Sequence, residues 1–302
     1  MSKVLIGTDF SDSSSLAVRV GMEWAAKWNE KPFLVHVDTL SPKLKKMPIH
    51  QVNSPEDVFD FEKWIKDSLG KKLDDQLESL KLDPNQTKVI LKTGRVDEQV
   101  IEVAKNLDCS LLVVGGKHHD LMDRLFIGSS AEKLAQHSPV PVLVVKNENA
   151  IVPKKILLAT DFSPLSSKAL DWAIKVAKVF SSKIFLFHGI SSNFAQYTLD
   201  FPFDTTSTKY ISQVIQEQKE ISLEKVKVYE QKLQENDISF ETHVETVLDQ
   251  NMADALITRS HEWNIDLSIL APHSKTPVQK FLLGSVAIKM LRKADHSLLL
   301  IH

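Results

Sequence analysis

A single cysteine, Cys109, stands in 302 residues. The chain therefore cannot close an internal disulfide, assemble a multi-thiolate metal site or follow the disulfide-framed plan of small secreted domains. Positive charge in excess is also missing, with 37 Lys and Arg against 39 Asp and Glu and a net charge of −2. No cationic field is available to hold a phosphate backbone, so nucleic acid is not an expected partner. No run approaches the ~18 apolar residues of a membrane span. The opening Val4-Leu5-Ile6 gives way to Gly7-Thr8-Asp9 too soon for a signal-peptide core. These absences predict a soluble, cytoplasmic protein without membrane contact. A nucleophile elbow, a Walker loop, a zinc-binding helix and a dinucleotide fingerprint are all missing too, so dedicated catalysis is not expected.

What is present is an ordinary globular balance, 43% hydrophobic and 25% charged, in a chain long enough for two domains at ~100 to 200 residues each. An internal repeat supplies the division. Val4-Leu5-Ile6-Gly7-Thr8-Asp9-Phe10-Ser11 returns as Ile156-Leu157-Leu158-Ala159-Thr160-Asp161-Phe162-Ser163, and Phe33-Leu34-Val35-His36 as Phe185-Leu186-Phe187-His188, both at an offset of 152. Leu125-Phe126-Ile127-Gly128-Ser129 returns as Phe281-Leu282-Leu283-Gly284-Ser285, with the offset grown to 156 by small insertions. So long a period exceeds the ~20 to 50 residues of a solenoid unit. Each copy is then a domain, 1–150 and 151–302, joined near Asn147 to Lys155.

Within a copy the periodicity alternates. Lys3 to Gly7 is a short apolar run ending in turn chemistry, as in a strand buried on both faces. Ser11 to Trp28 has apolar residues at helical spacing behind Ser and Asp suited to capping. Strand Phe33 to Val37 follows, then a loop with Pro42, Pro48 and Pro55, a helix to about Leu80, and a strand at Lys88 to Thr93. A helix over Gly94 to Leu107, a strand over Ser110 to Val114, a helix over Ser129 to His137 and a strand over Val140 to Val145 complete the copy. The second copy repeats the pattern with strands at Ile156 to Thr160, Lys183 to His188, Ser239 to Glu245, Leu267 to Leu270 and Ser297 to Ile301, and a long charged helix from about Tyr210 to Gln234. The loop from Ile190 to Thr208, with Phe194, Tyr197, Phe201 and Phe203, shows no period and reads as a cover for a pocket or partner surface. Strands alternating with helices predict an α/β fold: two tandem five-stranded parallel open sheets, Rossmann-like, with helices on both faces. Trp24 and Trp172 fall on apolar helix faces and are expected in the core.

Ligands of such sheets collect beyond the carboxyl ends of the strands. Those ends carry Asp9, Asp161, Gly115-Gly116 and the loops to Gly128-Ser129 and Gly284-Ser285. Asp9 and Asp161 sit where Asp caps a helix or closes a turn. Ser129-x-x-Glu132 reads as a capping box, while the same helix start with Ser130 also offers amides and hydroxyls to an anion. Ser285, with Ile288 in place of the carboxylate, reads as a plain cap. His36 and His188 read as core histidines. Lys117-His118-His119-Asp120 lacks the helical spacing of a zinc enzyme and reads as an exposed polar loop. Cys109 reads as a small apolar residue at the entrance to strand four.

The Thr-Asp-Phe-Ser ends of both opening strands, His36-Val37, and the block from Leu111-Leu112-Val113-Val114-Gly115 through Gly128-Ser129 to Pro141-Val142-Leu143-Val144-Val145 carry a resemblance to the universal stress protein family in its tandem form. The fold it implies is that of the adenine nucleotide α-hydrolase-like sheets. Nucleotide-binding members carry Gly-x2-Gly-x9-Gly-Ser/Thr after the fourth strand. Here the counts give Gly115, His118 and Gly128-Ser129 in the first copy, and Ala271, Ser274 and Gly284-Ser285 in the second. The resemblance implies an ATP site, with Mg²⁺, in the first copy: Asp9 by the ribose or a phosphate-bound metal, Val37 lending backbone groups to the adenine edge, and Gly115, His118, Gly128, Ser129 and Ser130 around the phosphates. Asp161, Gly189, Gly284 and Ser285 are the weaker counterparts. It also implies a regulatory stress role with at most slow ATP hydrolysis, protein partners of unknown identity, and halves arranged as an intramolecular pseudo-dimer that itself can pair as a homodimer. The alternatives are a nucleotide-free scaffold with degenerate motifs in both halves, and a redox or metal sensor acting through Cys109 and His118-His119.

Overall fold

The computed structural model describes residues 2–41, 55–82, 87–116, 127–191, 205–247, 251–272 and 283–302, with side chains left aside at 55–62, 191 and 205–212. Two compact units result, Met1–Ile151 and Val152–His302. The loops carrying His118, Ser274 and the aromatic run Phe194 to Phe203 lie outside the described residues.

In the first unit β1 (Lys3–Gly7), α1 (Asp12–Trp28), β2 (Lys31–Asp38), α2 (Pro55–Ser79), β3 (Lys88–Thr93), α3 (Val96–Leu107), β4 (Leu111–Gly115), α4 (Ser129–His137) and β5 (Val142–Val145) follow one another, with a short 3₁₀ turn at Glu148–Ile151. Its strand order is β3-β2-β1-β4-β5, and its pairs are parallel. The second unit repeats this with β6 (Lys155–Ala159), α5 (Pro164–Phe180), β7 (Lys183–Ser191), α6 (Thr205–Glu235), β8 (Phe240–Val247), α7 (Met252–Trp263), β9 (Leu267–Leu270), α8 (Ser285–Lys293) and β10 (Ser297–Leu300). Its order is β8-β7-β6-β9-β10, again with parallel pairs. The predicted fold class, a tandem pair of open α/β parallel sheets, is therefore what the chain adopts.

The central strands explain why the pattern reads so clearly. Val4, Leu5 and Ile6, and in the other unit Ile156, Leu157 and Leu158, are fully buried. Each such side chain stabilises by about 1.5–3 kcal/mol relative to exposure. Helix α1 sits close enough to β1 that a Cβ added at Gly21 would meet Ile6 side-chain atoms at 2.7 Å, so a residue unfavourable inside a helix is offset by tight packing. Trp24 is fully buried, and its indole N–H donates to the Ala150 carbonyl at 2.8 Å. Trp172 departs from expectation: it is half-buried, with the Lys175 ammonium 4.8 Å above its ring, because helical spacing marks a face but not how far the core reaches along it. Among the described residues no helix is long and apolar enough to cross a membrane.

Candidate functional site

The strand order of the first unit reverses between β1 and β4. Chain leaving β1 runs to β2 on one side, and chain leaving β3 crosses to β4 on the other. At the carboxyl ends of these strands lies a cavity of about 480 Å³, within the ~300–1,000 Å³ range of small-molecule sites. Its walls bring together Asp9, Val37, Gly115, Gly128, Ser129 and Ser130, and add Thr8, Ser11, His36, Asp38, Val96 and Val100. The last six are residues to which sequence reading gave no place at a ligand.

The turn after β1 is built by its own hydroxyls. Ser11 is the N-cap of α1 and accepts from the Ser14 amide at 3.2 Å. Asp9 Oδ1 accepts from the Ser11 amide at 3.0 Å and from its hydroxyl at 2.5 Å. Burial works to raise the Asp9 pKa, but the hydrogen bonds from Ser11 and Ser14 outweigh it and hold the carboxyl below its usual range. Asp9 is thus an anion that closes the turn at the cavity wall. Behind it, the Thr8 hydroxyl donates to Gln76 Oε1 at 2.9 Å, and Gln76 Nε2 donates to the Ser15 hydroxyl at 2.9 Å. Helix α2 is thereby tied to the floor of the site.

Phe10 adopts φ 67°, a left-handed conformation that a bulky residue rarely takes. In return its ring packs on the His36 imidazole, and Lys72 Nζ lies 5.9 Å from its centroid. His36 Nδ1 donates to the Thr8 carbonyl at 2.8 Å; a carbonyl only accepts, so the Nδ1–H tautomer is fixed. Burial dominates the opposing pull of the Thr8 carbonyl, Asp38 and Asp9 and lowers the His36 pKa. The second unit reproduces the device. Phe162 has φ 61° and packs on His188, whose Nδ1 donates to the Thr160 carbonyl at 2.8 Å. Asp161 Oδ1 accepts from the Ser163 amide at 3.0 Å and the Ser166 hydroxyl at 2.5 Å.

At the far wall the capping-box expectation fails. The N-cap of α4 is Gly128, Ser129 is already the first helical residue, and no side chain caps this helix. The first-turn amides are accordingly left toward the cavity, where α4 directs its positive end. Ser285 is likewise inside α8, with Gly284 as its N-cap and no side-chain cap, so it is not the plain cap that the pattern suggested.

Gly115 has a reason to be glycine that involves no ligand: an added Cβ would meet the Ser13 backbone at 2.8 Å. Gly189, the counterpart of Val37, has a different one. Its Cβ position lies 2.3 Å from both Sδ and Cε of Met252. Met252 begins α7 as Val96 begins α3, so the second unit lays a thioether across its strand end where the first has two valines beside a cavity. Cys109 is buried, and burial, ahead of the Lys3, Asp108 and Glu30 charges, pushes its thiol up to about 11. Among the described residues no cluster of three or more His, Cys, Asp or Glu is placed to hold a metal ion.

The fold and the sequence have counterparts in known proteins. A universal stress protein from Archaeoglobus fulgidus shares the fold with a TM-score of 0.66 at 17% identity, over 99% of this chain and 97% of that one. In sequence, a universal stress protein of Methanocaldococcus jannaschii is 24% identical over 157 residues, 49% of this chain and 96% of its own length. Universal stress protein G of Salmonella typhimurium is 26% identical over 113 residues, 37% of this chain and 78% of its own. The universal stress protein family matches twice, over residues 1–146 and 153–302, and the chain belongs to that family as a tandem member.

Proposed function

We propose that the first unit, taken as domain 1–150, binds an adenine nucleotide in the cavity between β1 and β4, and that domain 151–302 is mainly structural. The observation that carries this reading is the meeting of an uncapped α4 N-terminus with a cavity of about 480 Å³ at the strand-order reversal. Amides at such a helix end favour an anion, and the apolar side chains of Val37, Val96 and Val100 suit the face of a base. ATP with Mg²⁺ fits the residues present: Gly128 brings no side chain to the phosphates, Ser129 and Ser130 add hydroxyl donors, and Asp9 is a carboxylate in the same wall that a phosphate-bound ion could use. His118 would flank the same phosphates. The role read here is regulatory and cytoplasmic, with at most slow hydrolysis. The tandem chain is read as an intramolecular pseudo-dimer able to associate further.

A second reading, a nucleotide-free protein that acts through protein partners, is favoured by Gly115, whose packing against Ser13 explains it without any ligand. Thermal unfolding with Mg²⁺ and ATP separates the two. A ligand at 100 times its dissociation constant adds ~2.7 kcal/mol, which at about 2–4 °C per kcal/mol raises the melting point of a unit of this size by several degrees. An unchanged melting point at millimolar ATP rejects the nucleotide reading.

A further inference from the structure

The turn at the end of β2 can be closed by residues other than a carboxylate. Asp38 Oδ1 accepts from the Leu40 amide at 2.7 Å and the Ser41 amide at 3.3 Å, a turn closure that Asn or Ser performs as well. The second unit does without it: Ile190 occupies the matching position, buried, and β7 runs on to Ser191 instead of turning. Yet Asp38 is only 8% exposed and lies in the cavity wall next to Val37. Burial favours the neutral acid, but the Ser41 hydroxyl and the two amides win and keep the group ionised at neutral pH.

A buried anion in a ligand cavity does two things. It repels phosphate from the β2 end, which sends the charged part of a ligand toward the α4 N-terminus. It also presents acceptor sites to whatever lies above β2, since a carboxylate has about four and its own turn does not use them all. Among the described lining residues there is no Lys or Arg to neutralise it.

We infer that Asp38 is the specificity-determining acceptor of the first-unit site, taking a hydrogen bond from an N–H or O–H donor on the uncharged half of the nucleotide. The inference rests on the nucleotide reading above. The donor is either the 6-amino group of the base or a ribose hydroxyl, and ligand analogues distinguish them.

The experiment measures binding of ATP, ITP and 2′-deoxy-ATP, each with Mg²⁺, to the full chain and to Asp38→Asn, which keeps the Oδ1 acceptor and the turn. Asp38→Ser, which retains a turn-closing oxygen, serves as the second variant, and the melting point of each reports folding. A hydrogen bond to a charged group is worth about tenfold or more in affinity. The wild type should therefore disfavour ITP if the amine is the donor, or the deoxy analogue if the hydroxyl is, and both variants should level that preference to within about twofold. A wild type with no preference, variants that keep it, or variants that weaken all three ligands alike would overturn the inference while leaving nucleotide binding intact. A wild type that binds none of them overturns the nucleotide reading, and this inference with it.

Discussion

The Phe10 ring lies 4.4 Å, centroid to centroid, from the His36 imidazole, and it gets there only through a left-handed backbone at φ 67°. Phe162 and His188 repeat the pairing at 4.3 Å. An L side chain in that region costs roughly 1–2 kcal/mol, so ring packing must more than offset strain. Truncation to alanine keeps the strain and loses the ring, whereas glycine loses both. Phe10→Gly should therefore be more stable than Phe10→Ala by about 1 kcal/mol, both being below wild type in urea unfolding. Alanine at or above glycine would refute the strained turn.

His36 and His188 have pKa values lowered chiefly by burial. Unfolded imidazole titrates near ~6.5, so below that pH the unfolded chain binds more protons and stability falls as pH falls. The melting point should drop between pH 7 and 5, and His36→Gln with His188→Gln should flatten the slope in that window. Asp9 and Asp38, with lowered pKa values, contribute stability that disappears only at lower pH, as it falls through their folded values. A slope unchanged by the histidine pair would rule out this assignment.

Two glycines should respond in opposite senses to alanine. At Gly115 the new methyl meets the Ser13 backbone at 2.8 Å, while at Gly70, inside α2, nothing lies within 4 Å. Gly115→Ala is expected to cost about 1–3 kcal/mol by overpacking, and Gly70→Ala to add about 0.5–1 kcal/mol by helix propensity. Chemical denaturation of the two single variants checks the signs.

Exchanging the residues that begin α3 and α7 tests why the two strand ends differ. Val96→Met carries the thioether of Met252 into the first-unit cavity and should abolish the melting shift with ATP at little cost in stability. A full shift in that variant would mean that the ligand does not use the space beside Val37.

Most of the fold was legible because burial and period speak together: β3, α4 and β9 run over the same residues that the pattern marks. The strand order was not, since apolar periodicity gives no sign of which strands become neighbours. At the site, Asp9, Val37, Gly115, Gly128, Ser129 and Ser130 could be named from the repeat and its resemblance. Asp38 could not, because one acidic residue after a strand reads as a turn former. The capping box misled for a physical reason: Ser-x-x-Glu looks the same whether Ser precedes the helix or opens it, and Gly128, with no side chain to declare itself, took the outer position. Gln76 gave no signal, as a lone amide on a long polar helix does not announce the hydroxyl it will meet across the fold.

The bond from the Trp24 indole to the Ala150 carbonyl bears on where the chain can be divided. A piece ending at residue 146, where the first family match stops, removes the carbonyl that this indole uses, along with the Glu148 carboxylate that Arg19 reaches at 3.0 Å. A piece ending at Ile151 keeps both. Beyond it, Pro153 and Lys154 are fastened to the later copy through Ser182 and Asp266. Scissors placed between Ile151 and Val152 sever neither set of fastenings, so that peptide bond is the one to cut when each copy is to be made by itself.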